Sequence, residues 1–145
     1  MRCFIKVLRD YAIFGSRSGR REYWLFVIGW LITGLATIWL DRITDSYNFR
    51  TGIAVFESFW FFSIILPWLA ATVRRLHDAD WSGWWAALFL AVYVWFYIAA
   101  MPSAWPYMRA TWPLAAAGAL VWAIIMTRPP SKGKNRFGKP EQAWC

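Results

Sequence analysis

Four stretches of this chain are long, apolar and nearly free of charge, and a chain carrying four of them has few ways to keep them from water. Tyr23 to Leu40 (YWLFVIGWLITGLATIWL) and Trp84 to Met101 (WWAALFLAVYVWFYIAAM) hold no charged residue, and Ile53 to Val73 holds only Glu57. Ala110 to Thr127 (ATWPLAAAGALVWAIIMT) is uncharged and rich in small residues, with Pro113 placed where a first helical turn needs no backbone donor. A helix needs roughly 20 mainly apolar residues to cross the hydrocarbon core of a bilayer. The segments 23–40, 53–73, 84–101 and 110–127 therefore predict an all-α, polytopic membrane protein, a four-helix transmembrane bundle in a single membrane domain.

Composition supports lipid as part of the solvent. Of 145 residues, 59% are hydrophobic and 17% charged, and the aromatics include 13 Trp and 11 Phe. One small soluble core would leave much of that surface wet, which argues against an ordinary cytosolic enzyme. A basic segment precedes the first span, but its apolar run is too long for a signal peptide and no small-residue cleavage site follows, so it reads as a retained span. Tyr23, Trp24, Trp39, Trp84, Trp85, Trp105 and Trp112 fall near span ends, as an aromatic belt at headgroup level requires.

The formal net charge of +8 is explained by where the charges sit. With both termini on one side of the membrane, that side carries thirteen of the sixteen Lys and Arg residues, and the positive-inside rule places it in the cytoplasm. Because the basic residues flank spans, lipid and topology account for them better than nucleic acid does. Residues 1–22 predict a cytoplasmic amphipathic segment: Phe4, Ile5, Leu8, Tyr11 and Ala12 share one helical face, opposite Arg2, Lys6, Arg9 and Asp10, so the helix lies on the inner leaflet. Residues 128–145, rich in Pro, Gly and Lys, predict a cytoplasmic tail. Cys3 and Cys145 stand at opposite ends, in no CxxC or metal-ligand spacing, and suggest neither a zinc site nor a disulfide framework.

The loop Arg74-Arg75-Leu76-His77-Asp78-Ala79-Asp80-Trp81-Ser82-Gly83 gathers the only histidine with two Arg and two Asp at a membrane boundary. Three readings stand. In the plainest, the arginines snorkel to headgroups, an aspartate neutralises them, and Asp80 or Ser82 caps the third span. Two guanidinium forks also suit a phosphate, and two Asp with His a divalent cation, although no second ligand cluster completes a metal site. Glu57 lies in the first turns of the second span, where a helix N-terminus favours a carboxylate. Pro67 frees the carbonyl of Ser63 and permits a kink. Ala115 and Ala119 form a small-xxx-small pair for close helix packing.

Three segments together resemble the DUF805 family of small bacterial inner-membrane proteins. They are Phe14-Gly15-Ser16-Arg17-Ser18-Gly19-Arg20-Arg21-Glu22-Tyr23-Trp24, then Val73 to Asp78 with Ser82-Gly83-Trp84-Trp85, and Gly133-Lys134-Asn135-Arg136-Phe137-Gly138. The spacing of Ser18-Gly19-Arg20, and Lys132 and Lys134, depart from the commoner form. The resemblance implies a four-helix inner-membrane protein and no established activity. All three segments fall on the side assigned to the cytoplasm, so Arg17, Arg20, Arg21, Arg74, Arg75, His77, Asp78, Asn135 and Arg136 are the candidate ligand-binding face.

The functional expectation is a non-enzymatic binding or scaffold module of the bacterial plasma membrane, with no catalytic residues, metal or cofactor. Its cytoplasmic face binds an anionic lipid headgroup, a phosphate ligand or a partner protein, with a homo-oligomer or another membrane protein as possible assemblies. The alternative is a small oligomeric transporter or channel using Glu57, Pro67 and His77. An enzyme acting on lipid through His77, Asp78 and Asp80 has the least support.

Overall fold

A computed structural model describes residues 2–48, 53–99 and 105–139. The described residues are mostly helical: α1 (Arg2–Arg9), α2 (Arg20–Ile43), α3 (Val55–Asp78), α4 (Trp85–Ala99) and α5 (Trp105–Thr127). Within a bilayer no water can satisfy backbone groups, so an apolar run of this kind closes its own hydrogen bonds as a helix. Among the described residues α2 and α3 are long and apolar enough to cross a membrane. Within the other two, the described apolar helices Trp85–Trp95 and Thr111–Thr127 are shorter. The expected third and fourth spans are thus apolar helices. Met101 lies outside the described residues.

Side-chain chemistry along the helices shows which faces pack. Phe61, Trp68 and Tyr93 form the centre, with Tyr93 stacked on Phe61 at 4.7 Å and on Trp68 at 4.9 Å between ring centroids. Phe26, Val27, Phe89, Ile125 and Met126 close around them. Trp60 donates its indole N–H to Thr33 Oγ1 at 3.1 Å, tying α3 to α2 inside an apolar contact. On α5 a side chain at Gly118 would meet Val92 at 2.8 Å, so the small-residue stripe brings α5 against α4 of the same chain. The outward faces stay apolar: Leu35, Trp39, Phe59, Phe62, Leu114 and Leu120 are all exposed. A lipid-facing surface looks like this, and a water-facing one does not.

Helix α1 is docked on the bundle. Val7 is fully buried, and Phe4 stacks on Phe26 at 5.6 Å. Lys6 reaches Glu22 at 2.9 Å. Of the expected apolar face, Phe4 and Leu8 pack against the core, whereas Ile5 and Tyr11 are exposed because the packed side runs through Cys3, Phe4 and Val7. Cys3 is buried and disulfide-bonded, contrary to the expectation from spacing, which says nothing of distances in the fold. Cys145 lies outside the described residues.

Between α2 and α3 the chain forms a short antiparallel pair, β1 (Tyr47–Asn48) with β2 (Ile53–Ala54), in the register Tyr47 to Ala54. Asp41, almost wholly buried near the end of α2, turns its carboxylate to the start of α3. It accepts from Phe56 N at 3.0 Å and Glu57 N at 2.8 Å. A carboxylate here satisfies two orphan donors and meets the positive end of the helix. Replacing Asp41 with Ala should lower stability by about 1–2 kcal/mol, read as a reduced thermal midpoint in detergent micelles, whereas Asp41→Asn should recover part of it.

Candidate functional site

The site begins at the end of α3. Helix α3 finishes in a turn where Asp80 takes a left-handed backbone (φ 61°), a conformation that Asp tolerates among the few non-glycine residues. Trp81 N donates to Leu76 O at 2.9 Å and Asp80 N to His77 O at 3.1 Å, the paired closure of a Schellman motif. Asp80 therefore ends α3 and does not start α4, where the sequence had offered it as a cap. The last carbonyls of α3 are then completed by distant segments. Ser18 N donates to Arg74 O, Asn135 Nδ2 to His77 O and Ser131 N to Asp78 O, at 3.2, 2.8 and 2.8 Å.

Asp78 is the centre of this arrangement. Its Oδ1 accepts from Arg17 Nε at 3.0 Å and lies 2.9 Å from Arg17 Nη2, while Oδ2 takes Arg75 Nη1 at 2.5 Å. Both guanidinium side chains are fully buried. Their remaining donors go to main-chain carbonyls. Arg17 Nη1 bonds Gly133 O at 2.9 Å and Gly138 O at 3.2 Å, and its Nη2 bonds Ser131 O at 3.1 Å. Arg75 Nε donates to Met126 O at 3.0 Å and its Nη2 to Arg128 O, so a cation from α3 caps the negative end of α5. Arg74 holds the segment before α2, through Asp10 O at 2.8 Å and Ile13 O at 2.7 Å.

The tail closes over this centre by its own turn. Asn135 and Gly138 exchange backbone hydrogen bonds at 3.1 and 3.0 Å, and Asn135 Oδ1 accepts from Phe137 N at 2.9 Å. Gly138 sits at φ 113°, where a side chain would be strained. The turn lays the Phe137 ring on the His77 imidazole, 3.7 Å between centroids. Arg136 stands outside, exposed, over the Phe137 ring and 3.4 Å from Asp80.

Of the nine candidate residues, the structure gathers Arg17, Arg75, His77, Asp78, Asn135 and Arg136 at one place, with Arg74 on its flank. Arg20 and Arg21 are exposed in the first turn of α2. The buried guanidinium donors to Asp78 and to main-chain carbonyls belong to Arg17, Arg74 and Arg75, while exposed Arg136 donates to Asp80 O at 3.0 Å. Glu57 and His77 sit at opposite ends of α3, 20 residues and so roughly 30 Å apart. Pro67 is buried between them. Among the described residues no group of three or more His, Cys, Asp or Glu side chains is placed to hold a metal. Asp41 and the carbonyls of Ser131, Gly133 and Gly138 were missed from sequence, since nothing in their local pattern names a partner.

Burial holds the His77 pKa below its ordinary 6.5, against the pull of the Ser16 and Phe14 carbonyls, and Arg136 adds to the depression. With the folded value lower than the unfolded one, the stabilisation is complete above about 6.5 and is lost as pH falls through the folded value. Thermal midpoints between pH 7.5 and 5 should fall more steeply for wild type than for His77→Gln; parallel curves would reject this. Removing Asp78 has a larger effect, because it strands two buried guanidiniums. Asp78→Ala should lose about 3–5 kcal/mol and open residues 131–138 to protease.

The family model described as "Protein of unknown function (DUF805)" matches residues 11–139, which include every segment of the site, and the chain belongs to that family. It is 35% identical over 135 residues to "Inner membrane protein YhaH" of Escherichia coli (strain K12), covering 93% of this chain and 92% of that protein. It is 31% identical over 140 residues to "Inner membrane protein YhaI" of the same strain, covering 95% and 93%. A further relative there, "Uncharacterized protein YiiR", is 27% identical over 137 residues, covering 89% and 86%. No solved structure matches the chain.

Proposed function

We propose that this DUF805 chain is a four-span, non-enzymatic binding module of the bacterial inner membrane, both termini cytoplasmic, whose inner-leaflet face binds anionic lipid headgroups. The observation that carries the reading is the division among its arginines. Arg17, Arg74 and Arg75 are buried and spend hydrogen bonds on Asp78 and main-chain carbonyls. Exposed Arg20, Arg21, Arg128, Lys132, Lys134 and Arg136 surround the plate so formed. A rigid basic rim at the end of an apolar bundle is what an anionic leaflet attracts, at about 1 kcal/mol per Lys or Arg near the surface.

Three further observations support parts of this reading. The exposed apolar faces of all four long helices suit lipid contact. The basic residues crowd the side that also carries the end of α3 and the start of α4. Asp78 is committed to two guanidiniums, and His77 is packed under Phe137, which leaves the pair without the open geometry of an acid–base site.

Lipid bilayer nanodiscs containing phosphatidylglycerol and phosphatidylethanolamine provide the test. Wild-type protein released into a mass spectrometer should carry phosphatidylglycerol beyond its share of the bilayer, and R20Q/R21Q/R136Q should lose at least about fivefold of that enrichment, within the range that three surface charges supply. Equal headgroup composition in both proteins would overturn the reading and turn attention to a protein partner.

A further inference from the structure

A second feature lies at the same boundary. An open groove of about 580 Å³ runs between the last turns of α3 and the first turns of α4, walled at one end by Phe14 and Phe137. Ligand sites commonly have volumes of about 300–1,000 Å³. The groove is polarised along its length. On α3 the lining residues Leu69, Val73 and His77 follow one another at four-residue spacing, and Ser82 in the turn before α4 is followed at the same spacing by Ala86 and Leu90 on α4. Because α3 and α4 are joined by a tight turn, the polar pair His77 and Ser82 share the end nearest that turn, and Leu69 and Leu90 share the other.

We propose that this groove holds one membrane phospholipid, its ester and glycerol region at His77 and Ser82 and one acyl chain laid against Val73, Leu69, Ala87 and Leu90. The proposal deepens the reading above and rests on it for the placement of the α3–α4 turn at the inner leaflet. From His77 to Leu69 is eight residues, a rise of roughly 12 Å, against roughly 15 Å for half the hydrocarbon core. The apolar floor thus has nearly the length of one leaflet, and its polar end reaches the depth at which ester groups lie. The Ser82 hydroxyl is suited to donate to an ester carbonyl, and the His77 ring lines the same end. Trp84, 86% exposed at the mouth, sits where an indole favours the headgroup layer. The Arg136 guanidinium, 4.7 Å over the Phe137 ring, brings positive charge beside the polar end, toward a lipid phosphate. A free phosphate would use none of the apolar length.

Native mass spectrometry from mixed-lipid nanodiscs, with stepwise activation, tests this on the full chain. Wild type should retain one phospholipid after the annular lipids are stripped. Ala87→Trp and Leu90→Trp each fill the groove and should reduce that retained lipid at least tenfold, while Leu120→Trp on the outer face of α5 should leave it unchanged. A phosphatidylglycerol with a diazirine midway along its acyl chain should label peptides containing Leu69 or Leu90. Retention equal in wild type and both groove variants, labelling confined to other helices, or a dimer that the groove variants dissociate would each overturn the proposal. A retained lipid with no headgroup preference, lost in A87W, upholds the groove and removes the anionic reading; enrichment lost in R20Q/R21Q/R136Q but indifferent to A87W does the reverse.

Discussion

Two guanidinium groups buried on one carboxylate leave an excess positive charge inside the protein, and the surrounding structure is arranged around compensating it. Asp78 neutralises one charge equivalent of Arg17 and Arg75 together. The rest falls on the carbonyl ends of two helices. Arg75 lies on Met126 O and Arg128 O at the end of α5, and Arg17 shares Asp78 O at the end of α3 with the tail. Those carbonyls lack helical partners and carry the negative end of each macrodipole. Charge and orphan acceptors therefore cancel each other's cost. Either would be unfavourable alone in a region with little water.

This cancellation fixes how the chain closes on itself. Helices α3 and α5 must end at the same level for one arginine to join them, and the segment before α2 must pass beneath Arg74 to receive its two hydrogen bonds. Just inside the bundle, Trp122 donates to Tyr23 OH at 2.9 Å, and Tyr23 OH lies 3.4 Å from Thr72 Oγ1, joining α2, α3 and α5 again. Apolar packing in lipid has no strong hydrophobic drive to select one arrangement of helices. Directional polar contacts at the boundary supply that selection, and the aromatic stack of Phe61, Trp68 and Tyr93 fills the space they define.

Much of the architecture was legible in the sequence because span length and charge asymmetry are local or additive properties. The helices α2 and α3 contain the segments 23–40 and nearly all of 53–73, and the signature segments do meet at one place. The role of Arg17, Arg74 and Arg75 was less legible. An arginine beside a span reads equally as a snorkelling side chain, a phosphate fork or a buried cap, and the choice depends on carbonyls contributed from 50 to 120 residues away. The docked face of α1 was legible only in part: Phe4 and Leu8 pack as expected, but Val7 and Ile5 are similar side chains, and only the fold decides that Val7 is buried and Ile5 is not. The β1–β2 pair is two residues long in each strand, too short to produce a hydrophobic period.

The burial of the signature arginines also changes what recurrence of such a motif signifies. A motif of Arg, His and Asp at a membrane boundary invites a ligand, yet here its charges are the fastening of the plate. By holding the tail turn at Gly133 and Gly138, Arg17 places Phe137 on His77 and so builds the wall of the α3–α4 groove. By ending α3 in a left-handed Asp80, the chain turns sharply enough to bring Ser82 and Gly83 back beside His77 and Val73. A surface assembled this way has its basic rim, its polar groove end and its apolar floor in fixed register. Their relative depth is set by helix rise, which on the proposed topology spans nearly one leaflet.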